Sequence, residues 1–139
     1  MTIKHEDASM NQLTLNMPVE FVEVLTGYKI KENSNLPTKD LVNSPRQIEM
    51  DYAVRINENL IVNIEFQSTN PTFLDLIRLL EYALALIKKY KCMVETVVVC
   101  SADVEIKYRE LKISDTTVFR PKWVRFKEVK GSKILNIGF

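Results

Sequence analysis

Apolar and polar residues alternate with different periods along this chain, and those periods predict its first elements. Residues 18–27 carry apolar side chains at helical spacing and end in Gly27, which predicts a short amphipathic helix. Two runs typical of strands, 48–56 and 60–67, are separated by three polar residues. Such a pattern is typical of a β-hairpin. We therefore expect a helix and then a hairpin.

A long apolar segment without a helix breaker follows the hairpin. Asn70 is a good N-cap, Pro71 suits the first helical position, and residues 72–89 contain neither Gly nor Pro. Apolar side chains lie nearly all round this helix, so we expect it to be largely buried. Residues 96–100 then predict a central strand covered on both faces. The order strand, helix, strand favours a right-handed parallel crossover.

The remaining third of the chain gives weaker strand signals, at 106–113, 116–119 and 122–129. A chain of 139 residues is long enough for one compact core and too short for two. The sequence therefore predicts an α/β fold in a single domain that spans residues 1–139.

Composition excludes several kinds of site. Two Cys and one His are too few for a zinc site built from soft ligands, and the three Gly are too isolated for a phosphate-binding loop. We expect the two cysteines to be reduced core thiols. No signal peptide or membrane-length apolar segment is seen in the sequence, so we also expect a cytoplasmic protein that does not bind membranes. Any metal would have to be held by oxygen ligands.

The hairpin register predicts where the polar side chains meet. If the turn is centred on Glu58, Tyr52 lies opposite Ile64 and Val54 lies opposite Val62, which makes one face apolar. The other face then carries polar side chains at alternate positions. Its five acidic and amide members are Glu49 and Asp51 on the first strand and Asn63, Glu65 and Gln67 on the second.

In this register Asp51 lies directly opposite Glu65. Two carboxylates at cross-strand distance repel each other unless a cation or a proton lies between them, and Mg²⁺ prefers such oxygen ligands. Gln67 could hold a water or phosphate oxygen beside the ion, and Glu49 could be an extra ligand. The alternative is a solvated face that only keeps the sheet soluble. Layers on both sides of the sheet would instead desolvate the carboxylates.

Four segments together resemble the PD-(D/E)XK nuclease superfamily. They are VEFVEVLTGYKI, LPTKDLVNSPRQIEMDYAV, LIVNIEFQST and IRLLEYALALIKKY, in that order. Within the superfamily, residues 17–101 are similar to the branch of recombination-promoting nucleases and putative transposases. The resemblance implies a restriction-endonuclease-like αβββαβ core, with a mixed central sheet flanked by helices, at about 17–101. Residues 102–139 would be a strand-rich, basic extension.

The resemblance implies a Mg²⁺-dependent (or Mn²⁺-dependent) DNA endonuclease that hydrolyses phosphodiester bonds and is linked to recombination or transposition. Asp51 and Glu65 would be metal ligands, together with the backbone carbonyl of Phe66. Gln67 stands where the superfamily usually has a Lys that orients the attacking water. Gln cannot supply positive charge, which is a departure from the common pattern.

Accessory residues have structural alternatives. Glu20 or Glu23 would be the acidic residue that the superfamily often adds from its first helix, or each is part of a solvated helix face. Arg78 would contact the scissile phosphate, or it pairs with Asp75 or a sheet carboxylate. Tyr82 would face the same site, although core packing is the favoured interpretation.

Positive charge is concentrated near the end of the chain, interleaved with Trp123 and Phe126. This run either contacts DNA or is the basic edge of a sheet. A homodimer is expected if both DNA strands are cut, because that needs two active sites. Another hypothesis is a catalytically inactive module of the same fold that binds nucleic acid or a protein partner, and a third is a shortened family member. The candidate DNA-binding residues are Arg120, Lys122, Arg125, Lys127 and Lys130.

Overall fold

The computed structural model describes residues 19–31, 34–37, 52–129 and 132–137. These residues form two helices and seven strands. The helices are α1 (Val19–Thr26) and α2 (Phe73–Tyr90). The strands are β1 (Tyr52–Asn57), β2 (Leu60–Gln67), β3 (Met93–Ser101), β4 (Leu111–Ser114), β5 (Thr117–Phe119), β6 (Lys122–Val129) and β7 (Ser132–Ile137).

Five of the described strands form one mixed sheet in the order β1-β2-β3-β6-β7. The outer pairs, β1 with β2 and β6 with β7, are antiparallel, whereas β3 is parallel to both of its neighbours. Strands β4 and β5 form a separate antiparallel pair. The predicted α/β class is confirmed, as is the parallel pairing of β2 and β3 across α2. The basic segment at 122–129 belongs to this main sheet.

The predicted hairpin register is confirmed from Tyr52 to Arg55, and it is wrong at the turn, where Ile56 was expected opposite Leu60. Tyr52 pairs with Ile64 and Val54 with Val62, and the register shifts only near the turn, where Asn57 pairs with Leu60. The segment at 34–36 adds backbone bonds to the outer edge of β1, from Arg55 to Ser34 and from Leu36 to Ala53. The predicted pairing of Asp51 with Glu65 lies outside the described residues.

Helices cover the main sheet on both faces, as expected. On one face Val22 and Leu25 of α1 pack against alternate residues of β2, including Val62 and Ile64. On the other face α2 packs against the remaining alternate residues. There, Leu76 and Leu79 contact Val98 and Trp123, and Tyr82 and Leu86 contact Ile61. The central strands are therefore apolar on both sides because both sides are buried.

The N-cap of α2 differs from the prediction. Thr72 takes this position, because its hydroxyl accepts from the Asp75 N–H at 3.2 Å while Asp75 Oδ2 accepts from the Thr72 N–H at 2.8 Å. This is a reciprocal capping box. Asn70 instead accepts a hydrogen bond from the Glu105 N–H at 2.8 Å. Pro71 consequently lies before the helix.

Helix α2 is buried on one side only, so the expectation of burial nearly all round is wrong. Leu76 and Leu86 are fully buried against the sheet. Leu74 is 73% exposed and Leu84 is 53% exposed on the outer side of the helix. Apolar residues lie nearly all round the helix in sequence, yet the described elements cover only its sheet-facing half.

The predicted strand at 106–113 is shorter than expected. It begins only at Leu111, and residues 106–110 form an irregular connection. In this connection the Arg109 carbonyl accepts a hydrogen bond from Trp123 Nε1 at 2.9 Å. Trp123 is buried and fixes the connection against β6.

Two further expectations concern the cysteines and membranes. Cys100 is buried, Cys92 is half-buried, and both thiols are free of disulfides. Burial raises the pKa of the Cys100 thiol to about 11, although Arg125 and Arg109 partly oppose this. Within the described parts of the chain, neither helix is long and apolar enough to cross a membrane.

Candidate active site at the end of strand β2

Strand β2 presents a row of polar side chains to the α2 side of the sheet. Asn63, Glu65 and Gln67 alternate with apolar residues that face α1, so the two-residue period of a strand directs them toward α2. Their exposed fractions are 0%, 6% and 8%. This polar row is therefore largely removed from solvent, as expected for a sheet with layers on both sides.

Hydrogen bonds fix the orientation of the Gln67 amide. Its Nε2 donates to Thr69 Oγ1 at 3.1 Å and to Asp75 Oδ2 at 3.3 Å. A carboxylate oxygen accepts hydrogen bonds, so the amide nitrogen, and not the amide oxygen, must face Asp75. Both N–H groups are then engaged. What Gln67 can offer to a ligand is its Oε1, an acceptor.

Asp75 joins the end of β2 to the start of α2. Its Oδ2 accepts from the Thr72 N–H and from Gln67, and its Oδ1 lies 3.2 Å from an Arg78 guanidinium nitrogen. One carboxylate thus takes part in the helix cap, a sheet contact and an ion pair. This arrangement holds Gln67 in one position relative to the helix.

Arg78 and Tyr82, the two predicted accessory residues on α2, each make the structural contact that was the alternative to a role at the site. Arg78 pairs with Asp75, while its side chain is 45% exposed. Tyr82 is buried and packs with Ala53 and Ile61, which is the favoured core interpretation. A phosphate contact by Arg78 stays a prediction.

The predicted contributions from α1 lie elsewhere. Helix α1 packs on the sheet face opposite to Glu65. Glu20 is exposed, and Glu23 Oε2 accepts a hydrogen bond from the Ile30 N–H at 2.9 Å. The structure therefore does not bring either residue together with Glu65. Phe66 contributes its side chain to the α1-side core, and metal binding by its carbonyl stays a prediction.

The ligand atoms that this site offers are oxygens, which is the type that a hard divalent ion prefers. Glu65 supplies a carboxylate and Gln67 an amide oxygen, and Mg²⁺ prefers both over nitrogen or sulfur. Asp51 and Glu49, the other predicted members, lie outside the described residues. Among the residues that are described, no group of three or more His, Cys, Asp or Glu side chains is placed to hold a metal.

Comparisons with protein-family models, curated proteins and solved structures found no match. Membership of the PD-(D/E)XK superfamily therefore stays a prediction from the four sequence segments. What the structure adds is the position of Glu65 and Gln67 beneath α2 and the contacts that orient Gln67.

The predicted DNA-binding residues do not form one patch. Lys122 and Arg125 are three residues apart on β6, so strand alternation places them on opposite faces. Arg125 donates to the carbonyls of Ala102 at 3.2 Å and Val104 at 2.6 Å, which gives it a structural role.

Of the other three predicted DNA-binding residues, the structure describes the side chain of Arg120 only. Arg120 is exposed, and its Nε bonds to Glu110 Oε2 at 2.7 Å. Lys130 and the side chain of Lys127 lie outside the description.

Two polar features of the structure are missing from the sequence-based picture. Asp75 enters that picture only as a partner of Arg78, although the spacing Thr72-x-x-Asp75 resembles a capping box and could have indicated its position. The other feature is a buried polar pair, Asn63 and Thr96, which are neighbours on β2 and β3. Asn63 Nδ2 and Oδ1 and Thr96 Oγ1 have no hydrogen-bond partner within the described structure. A sequence pattern does not reveal unsatisfied side chains.

Proposed function

We propose that this protein is a metal-dependent DNA endonuclease with a restriction-endonuclease-like core, linked to recombination or transposition as the sequence resemblance implies. The observation that carries the proposal is a buried carboxylate, Glu65, on the same strand face as an amide whose oxygen alone is available to a ligand. The order of hairpin, helix and parallel strand also supports such a core.

Each candidate residue would have a separate role in phosphodiester hydrolysis. Glu65 and Asp51 would hold Mg²⁺ or Mn²⁺ through carboxylate oxygens, with the Phe66 carbonyl as a further ligand. When bound, the ion would lower the pKa of a water and stabilise charge on the leaving oxygen. Gln67 would position the attacking water by accepting one of its protons in a hydrogen bond, which differs from the donation expected of a Lys.

Arg78 would contribute by contacting the phosphate. Its half-exposed guanidinium pairs with Asp75 in the first turn of α2, and its solvent-exposed part would contact the phosphate. Arg120 and Lys122 are exposed cations that would bind the DNA backbone. Cutting of both DNA strands would require a second copy of the chain, so we also propose a homodimer on the substrate.

An alternative function is favoured by one specific observation. Gln67 donates a hydrogen bond to Asp75, which also forms the cap of α2. This contact would stabilise the fold even if Gln67 had no part in catalysis. In that case the chain would be a catalytically inactive module that binds nucleic acid or a protein partner. The two proposals differ in whether Glu65 is needed for cleavage.

The test is nicking of supercoiled plasmid by the purified chain with Mg²⁺ or Mn²⁺. Asp51→Asn and Glu65→Gln should each abolish nicking, and a chelator should stop the wild type. Glu58→Gln is the matched control, because Glu58 lies in the exposed hairpin turn, and it should cut normally. Circular dichroism would verify that each variant is folded. Cleavage by all the variants, or by none of the proteins including the wild type, would refute the enzyme proposal.

A further inference from the structure

A cleft opens at the opposite end of the sheet from Gln67. Strand β3 begins at Met93, but β6 pairs with it only from Val97 onward, where Lys122 is the partner. Pro121 precedes Lys122 and has no N–H, so the ladder cannot continue past it with the usual hydrogen bonds. The first residues of β3 thus lack a strand neighbour on this side within the described structure. A cavity of about 520 Å³ lies there.

The walls of this cleft combine apolar and polar groups. Val62, Val97 and Phe119 line it, together with the hydroxyl-bearing residues Thr26 and Tyr28. Pockets of a few hundred Å³ with apolar walls and a few polar groups are typical of small-ligand sites. Tyr28, which packs at the edge of the α1-side core, also offers a ring surface on which a base can stack.

Three charged side chains line the cleft and do not neutralise one another. Lys122 Nζ donates to the Leu25 carbonyl at 3.3 Å, and no carboxylate in the described structure lies within ion-pair distance of it. Arg120 uses its Nε for Glu110, outside the cleft lining. Glu95 accepts from the Tyr28 hydroxyl, at 2.7 and 2.9 Å to its two oxygens. Within the described structure the cavity therefore holds one cation without an ion-pair partner, Lys122, a second cation, Arg120, that is paired with Glu110, and one carboxylate, Glu95.

The cleft is distinct from the candidate active site. Glu95 shares the sheet face of Val97, which packs against α1, whereas Glu65 faces α2. Glu65 pairs with Val98, three residues beyond Glu95, so the two carboxylates are also about 10 Å apart along the strand direction. A ligand in the cleft would use Lys122 and Arg120, which are also proposed to bind the DNA backbone, but would not need Glu65 or Gln67.

We infer that this cleft binds a nucleotide. A ligand that suits it must bring an anion for Lys122 and Arg120 and an N–H donor for Glu95, and a nucleotide has both in its phosphate and in the exocyclic amine of its base. A simple anion would be repelled by Glu95, and a small zwitterion would leave most of the cavity empty. The nucleotide is either free or one unit of a single strand, since both present the same groups.

The experiment uses the full chain and calorimetric titration with cytidine monophosphate, uridine monophosphate, inorganic phosphate and a short single-stranded oligonucleotide. Cytidine monophosphate should bind more tightly than uridine monophosphate, because uracil has no exocyclic amine and offers only its ring N3–H, and far more tightly than phosphate. Lys122→Gln and Arg120→Gln should each weaken binding by at least about tenfold. Lys107→Gln is the matched control, because Lys107 is exposed and does not line the cleft.

The variants and probes distinguish recognition of the base from recognition of the phosphate, and a mononucleotide site from a strand-binding site. Glu95→Gln should remove the preference for cytidine over uridine while leaving phosphate binding intact. Equal affinities for the free nucleotide and the oligonucleotide would identify a mononucleotide site, and tighter oligonucleotide binding would identify a strand-binding site. No binding at millimolar nucleotide, equal binding of phosphate alone, or equal loss in Lys107→Gln would overturn the inference. Loss of plasmid nicking in Glu65→Gln would not affect any of these results.

Discussion

Asp75 offers a direct test of how the end of β2 is joined to α2. Replacement by Ala removes one half of the capping box, the hydrogen bond from Gln67 Nε2 and the ion pair with Arg78. Loss of a helix cap costs about 1 kcal/mol and loss of a hydrogen bond about 1 kcal/mol. The Arg78 pair is partly exposed, so it adds only a few tenths of a kcal/mol. We expect Asp75→Ala to lower the free energy of unfolding by about 2–3 kcal/mol.

Urea denaturation followed by circular dichroism measures this change. Thr72→Ala should cost about 1 kcal/mol, because it removes only the cap, and Arg78→Ala should cost less than about 1 kcal/mol. A double-mutant cycle of Asp75→Ala with Gln67→Leu isolates the sheet contact, with an expected coupling of about 1 kcal/mol. If Asp75→Ala changed stability by less than about 0.5 kcal/mol, or if the coupling were zero, our account of Gln67 orientation would be wrong.

Three further predictions concern other buried groups. Asn63→Leu should raise the unfolding free energy by about 1–3 kcal/mol in urea, because the amide is fully buried without a described partner; destabilisation would show that the amide is satisfied. Trp123→Phe should lower it by about 1–3 kcal/mol, since the Arg109 carbonyl loses its donor, and an unchanged urea midpoint would contradict this. Burial raises the pKa of Cys100 to about 11, so at pH 8 its thiol stays protonated, and mass spectrometry should find iodoacetamide on Cys92 long before Cys100. Equal labelling of the two would mean that Cys100 is exposed.

The hairpin was predictable because two local signals agree. Period-two alternation identifies which side chains share a face, and the polar residues 57–59 mark the turn, although the structure closes it with two residues and a register shift before Asn57. The same alternation correctly indicates that Glu65 and Gln67 share one side of β2. What the sequence could not supply is the position of α2 above them, since this depends on packing between elements that are distant along the chain.

The errors have equally specific causes. Asn70 and Thr72 are both good N-cap residues, and Asp75 decides between them, because its carboxylate completes the box with Thr72. The basic run is continuous along the chain, although strand alternation separates Lys122 from Arg125. Apolar residues lie nearly all round helix α2, and such a pattern alone does not show whether two sides of the helix are covered or only one.

The position of β3 in the middle of the sheet has a consequence for how the chain folds. One neighbour, β2, precedes it in the sequence, and the other, β6, follows it. Strand β6 is synthesised only after the β4–β5 pair. Until β6 emerges from the ribosome, the apolar edge of β3 from Val97 to Ser101 has no partner there. An unpaired strand of this kind promotes aggregation. A chain truncated near residue 103 should therefore be insoluble, even though it would include the whole segment that resembles a nuclease core.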